Sequence, residues 1–196
     1  MNSYVYNGQE KQWFGSTGTI TGGTIYWALG DTPTWMPDTG WVTDPTTFKA
    51  TDVCSKYVWY RISCGVNYSI SYDYGEVEAK VLTPVSITKA NSSLALGTYS
   101  ISYSTQQTVD MSSFITAHDG TVTYSIQSNG TTTPSTISGS NVTFGAMSSA
   151  NDDAQTVVVR FSDPGDANHK SGTKDLTVSV YKNTPTITWD NSTTSV

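Results

Sequence analysis

Large apolar and polar residues alternate along much of this chain with a period of two, the spacing that turns successive side chains to opposite faces of a β-strand. Thr24-Ile25-Tyr26-Trp27-Ala28-Leu29 predicts a strand that stops at Gly30-Asp31. Lys56-Tyr57-Val58-Trp59-Tyr60-Arg61-Ile62-Ser63 predicts another, with large residues beside partners of mixed polarity. In Glu76-Val77-Glu78-Ala79-Lys80-Val81-Leu82 the alternation is nearly strict, which predicts a half-buried strand with one wet face.

The same grammar returns further on. Val122-Thr123-Tyr124-Ser125-Ile126 leads to a turn at Ser128-Asn129-Gly130, and strands are expected at 141–144, 155–161 and 176–181. Short strands separated by Gly, Pro, Asn and Asp predict an all-β sandwich architecture. The two halves also end alike, each with a penultimate strand, a Gly-containing turn before an Asn-ring pair (Asn67-Tyr68, Asn168-His169), and a last strand. Lys182-Asn183-Thr184-Pro185-Thr186-Ile187-Thr188-Trp189 then reads as a fresh first strand. The expected organisation is a domain over residues 1–83, a second over 84–183, and the start of a third repeat over 184–196, as in an array. Pro84 in the link between the domains fixes φ and is expected to limit bending.

The first half resembles a bacterial Ig-like repeat of large surface proteins. The resemblance is carried by Tyr6-Asn7-Gly8-Gln9, Thr21-Gly22-Gly23-Thr24, Gly40-Trp41, Ala50-Thr51-Asp52 and Tyr57-Val58-Trp59-Tyr60 followed by Asn67-Tyr68. It departs from the family pattern at Val53-Cys54 and at Cys64. The second half resembles a cadherin-like or Ig-like bacterial repeat more loosely, through its last two strands. The resemblance implies two tandem immunoglobulin-like β-sandwich domains plus the first strand of a third. It also implies a non-catalytic spacer or stalk, secreted and displayed on a cell surface beside neighbouring repeats. Similar modules decorate phage virions, so a virion surface is the other implied setting.

Composition narrows the partners. Thr and Ser crowd the sequence, and 12% of the residues are aromatic, which opposes disorder. The net charge of −6 is spread along the chain with no Lys/Arg cluster. Neither nucleic acid nor an anionic membrane is therefore an expected partner, because both are recognised by clustered cations. No signal peptide or run of apolar residues long enough to span a bilayer is read in the sequence, so no membrane insertion is expected. The only cysteines, Cys54 and Cys64, flank one predicted strand and would stand roughly 25–30 Å apart along it, too far for a disulfide.

Chemistry has few candidates. His118 and His169 sit in polar, turn-like contexts with no nucleophile–base set around them, so no catalytic residue is expected. Oxygen-rich stretches at Asn151-Asp152-Asp153 and Asp163-Pro164-Gly165-Asp166 make Asp152, Asp153, Asp163 and Asp166 the weak metal candidates, with Ca²⁺ the ion they would suit. The spacing of a Ca²⁺ loop is missing, and turns demand the same residues, so no cofactor is expected. Lys80 and Lys174, near last strands, are the lysines an intramolecular isopeptide bond would need, but alternation turns them outward. Aromatic residues offer the better lead. Trp27, Trp41 and Trp59 are expected to pack, whereas Trp35 falls in the loop Asp31-Thr32-Pro33-Thr34-Trp35-Met36-Pro37-Asp38. An exposed Trp35 with Met36 could stack on a surface glycan or anchor a protein; folding back as a lid is the competing expectation. Tyr72 and Tyr74 in the Tyr-rich stretch 68–74 are candidates of the same kind. The alternative to a spacer is thus an adhesin-type binding module using aromatics of the first domain.

Overall fold

The computed structural model describes residues 3–67, 80–81, 84–102, 107–130, 133–146, 154–181 and 187 of the 196-residue chain. Among these residues the chain is all-β: short and long strands in several small sheets, two 3₁₀ turns and no α-helix. It divides into two units. Unit 1 is Met1–Asn91 with Asp166–Lys170, and unit 2 is Ser92–Gly165 with Ser171–Val196.

Unit 1 contains β1 (Tyr4–Val5), β2 (Lys11–Gln12), β3 (Gly23–Gly30), β4 (Lys49–Ala50), β5 (Cys54–Cys64), β6 (Lys80–Val81) and β7 (Val85–Thr88). The antiparallel pair β3–β5 is its spine, in register from Gly23↔Cys64 to Gly30↔Tyr57. The other edge of β5 takes β6 and β7, and β1 adds to β7 in parallel. Trp13, Val58 and Val85 form the core, packed by Tyr4, Phe14, Trp27, Leu29 and Phe48. Trp59 points to the opposite face from Val58 yet is also buried. Its indole lies so close to Gly30 that a Cβ there would stand 2.7 Å from Nε1, so this end of β3 admits no side chain. Both faces of β5 are therefore covered, which explains its mixed rather than strictly alternating sequence.

Unit 2 contains β8 (Ala95–Leu96), β9 (Ser100–Ser102), β10 (Gln107–Asp110), β11 (Ile115–Ala117), β12 (Thr123–Ser128), β13 (Thr136–Ser138), β14 (Asn141–Phe144), β15 (Ala154–Asp163) and β16 (Gly172–Tyr181). One sheet runs β12-β15-β16-β9, another β10-β14-β13, and β8 pairs with β11. Alternation places Val157, Val159 and Phe161 of β15 and Leu176, Val178 and Val180 of β16 on one face. There they meet Val142 and Phe144 of β14, from a different sheet, together with Leu94 and Met111. Each such burial contributes roughly 1.5–3 kcal/mol before the entropy of ordering, so this apolar layer is the main source of unit 2's stability.

One local motif occurs in both units. Asp44-Pro45-Thr46-Thr47-Phe48 and Asp110-Met111-Ser112-Ser113-Phe114 each form a capped 3₁₀ turn. Asp44 Oδ1 accepts from Thr46 N and Asp110 Oδ1 from Ser112 N, both at 2.9 Å. The next hydroxyl, Thr47 or Ser113, donates to the Asp carbonyl. Pro45 and Met111 are buried, and Phe48 and Phe114 pack on their respective cores.

Candidate functional site

The loop between β3 and Trp41 is held at several points. Trp59 Nε1 donates to Thr32 O at 3.3 Å, Trp35 N to Thr32 Oγ1 at 3.2 Å, and Trp41 Nε1 to Pro37 O at 2.9 Å. Trp41 is in turn fixed by the Arg61 guanidinium, 4.6 Å from its ring centre and 5.3 Å from that of Tyr26. Asp31 and Lys56 pair at the surface where the loop begins. Thr32 and Pro37 thus fold back over Trp59 and Gly30, as a lid would, while Trp35 at the tip is 79% exposed and Met36 48%. The flanks of the loop cover the strand end, and its tip presents the Trp35 ring to solvent rather than folding it back. Tyr72 and Tyr74 lie outside the described residues.

The acidic candidates do different work. Asp163 is buried, and its carboxylate accepts from Asp119 N at 2.8 Å, Gly120 N at 2.9 Å and Gly165 N at 2.8 Å. Burial pushes this carboxyl up, but those three N–H donors, with His118 nearby, outweigh it and hold the pKa below the ordinary value. Its oxygens already serve to close two turns. Asp166 Oδ1 accepts from Asn168 N at 2.7 Å and His169 N at 2.6 Å and lies 3.0 Å from His169 Nδ1. The Asn168 N–H is the largest cause of its lowered pKa. Asp152 and Asp153 lie outside the described residues. Among the described residues no three His, Cys, Asp or Glu side chains come together as a metal site would need.

The remaining candidates are dispersed. His118 Nδ1 is 2.8 Å from Gly120 O within its own turn, and the His169 ring meets Tyr6 edge-on at 5.2 Å. Asn168 Oδ1 accepts from Val53 N, and its Nδ2 donates to Asp52 Oδ1, within unit 1. Cys54 and Cys64 stand at the two ends of β5 and are both free. Lys174 is exposed on β16, and Lys80 falls on β6. An open groove of about 520 Å³ on unit 2, between Leu94–Tyr99 and Lys174–Thr177, has Lys174 and Asp175 as its charged groups. Asp175 is engaged there by a two-pronged pair with Arg160, at 2.7 and 2.8 Å.

Trp13, only 2% exposed, is a core residue that carries no sequence signal. It follows the polar run Gln9-Glu10-Lys11-Gln12, and β2 is too short to show a period. No family model matches the chain, and no curated protein matches it.

Proposed function

We propose that this chain is a non-catalytic structural module, two tandem Ig-like β-sandwiches that space or display other parts of a surface or virion protein. The observation that carries this reading is that each unit closes its own apolar core around long paired strands. The polar groups that chemistry would use are supporting evidence. Asp163, Asp166, Asp44 and Asp110 are occupied in fixing turns, and Arg160 and Asp175 in a cross-strand pair. The extracellular setting and the neighbouring repeats rest on the resemblance of the first half to bacterial Ig-like repeats. Native-state digestion with a broad-specificity protease tests the module reading. Both units should persist as resistant bodies, and degradation running through β3–β5 or β15–β16 would sink it.

A second reading is favoured by one observation, the 79% exposure of Trp35 on a loop fixed by three hydrogen bonds. On this reading unit 1 is an adhesin-type module, and Trp35 with Met36 stacks on a surface glycan or protein. A ligand that shields the Trp35 indole from an aqueous quencher would favour it over the spacer.

A further inference from the structure

The strand registers show a feature present in each unit independently. In unit 1, β1 near the start of the unit pairs in parallel with β7 near its end, Tyr4 opposite Ile87 and Val5 opposite Thr88. Tyr6 N donates to Thr88 O at 2.9 Å, and Thr88 Oγ1 donates to Tyr4 O at 3.2 Å. In unit 2, β9 pairs in parallel with β16, the last strand among the described residues, with Ser100, Ile101 and Ser102 opposite Ser179, Val180 and Tyr181.

Parallel pairing of an early strand with a late one decides how tension acts. A pull that reaches β1 or β9 from its N-terminal end and leaves β7 or β16 from its C-terminal end drags the two strands of each pair in opposite directions along their common axis. In unit 2 the short β8, paired with β11, lies ahead of β9 on that path. The interstrand hydrogen bonds lie across that axis, so they are all strained together and must break together. Antiparallel terminal strands, or parallel ones pulled from the same end, would open one bond at a time. The strand on the inner side of each pair is also anchored. Val85 and Ile87 of β7 are 0% and 1% exposed, and Val178 and Val180 of β16 are both 0% exposed. Slippage by one residue would turn those side chains out of the core, so sliding along the axis is blocked as well.

We infer that the β1–β7 and β9–β16 pairs are shear clamps, and that the further function of the chain is to resist end-to-end tension. The clamp is a property of each unit; its biological use rests on the spacer reading. The unit 1 clamp spans two residue pairs and the unit 2 clamp three, so unit 1 should yield at the lower force.

The test is single-molecule pulling of the full chain from its two ends. Proline at Ile101 removes a β9 backbone donor. Ile101→Pro should speed forced rupture of unit 2 by about tenfold or more, the effect of losing a bond or two from a cooperative set, and leave the unit 1 event unchanged. The control is Ile137→Pro on β13, the outer strand of the β10-β14-β13 sheet, which lies off the line of force. It should leave the rupture force of unit 2 near that of the unaltered chain once both variants are matched for equilibrium stability. If Ile101→Pro does not fold, the direction of pulling decides on the unsubstituted strands. Handles at Gln107→Cys and the C-terminus, with Cys54 and Cys64 changed to Ser, strain β9 and β16 from the same end. Rupture should then need clearly less force than pulling end to end. Equal forces in the two directions, or equal loss from the two prolines, would overturn the clamp. Ligand binding through Trp35 would remove the spacer reading and leave the force measurements unchanged, so the two failures are distinguishable.

Discussion

Single residues in this protein act mainly by occupying backbone groups. Asp163 is the clearest case, because truncating its side chain leaves three N–H groups without their acceptor in a buried setting. Asp163→Ala is expected to destabilise unit 2 by about 3 kcal/mol, measured by denaturant titration. Its depressed pKa also fixes the sign of the pH dependence. In the unfolded chain the carboxyl takes up its proton near pH 3.9, and in the folded chain only at lower pH. The unfolded form therefore binds more protons in that window, so the contribution is fully present above about pH 4 and lost as the pH falls through the folded pKa. In Asp163→Ala the acid-induced fall in stability should be shallower. Trp35→Ala, by contrast, should change stability by less than about 0.5 kcal/mol, since the ring is 79% exposed and only the loop backbone is held. The sequence pointed to an exposed Trp35 because Pro, Thr and Asp surround it. It gave no sign of what Asp163 does, because Asp-Pro-Gly reads as an ordinary turn and the partners at Asp119 and Gly120 are more than forty positions away.

At the scale of elements, close backbone approach sets the limits. A Cβ on Gly145 would stand 1.7 Å from the carbonyl oxygen of Thr133, an atom of fixed backbone. Gly145→Ala must displace the end of β14 and is expected to cost about 2–3 kcal/mol, seen as a lower thermal midpoint. Strands with a strict period were legible. The expected 141–144 strand is β14, 155–161 lies within β15, and 176–181 lies within β16. Those strands were readable because one face is packed and the other wet. Two-residue strands such as β1, β2 and β8 hold only by partners distant in sequence, so no local pattern marks them. The Asp-x-(Ser/Thr)-(Ser/Thr)-Phe motif at 44–48 and 110–114 was present in the sequence, and its capping chemistry could have aligned the two halves. Replacing either Asp by Ala should lower the midpoint of its own unit.

At the scale of the molecule, two separate cores make two separate responses. Phe144 is fully buried among the unit 2 strands, and Phe144→Ala should cost about 3–5 kcal/mol there. Hydrogen exchange should then quicken across β15 and β16, while the β3 and β5 amides of unit 1 keep their protection. The all-β character was legible because the period-two pattern recurs along the chain. The candidate site was legible only in part: exposure of one aromatic follows from its loop, but whether anything docks there depends on a partner whose chemistry the chain does not encode.

The most direct test of the spacer account is a binding screen of the purified, folded chain against a glycan array and intact bacterial cells, with Trp35→Ala alongside. The account predicts no saturable binding that distinguishes the two proteins. Saturable binding by the unaltered chain that disappears in Trp35→Ala would contradict it and make unit 1 an adhesion module with its site at the loop tip.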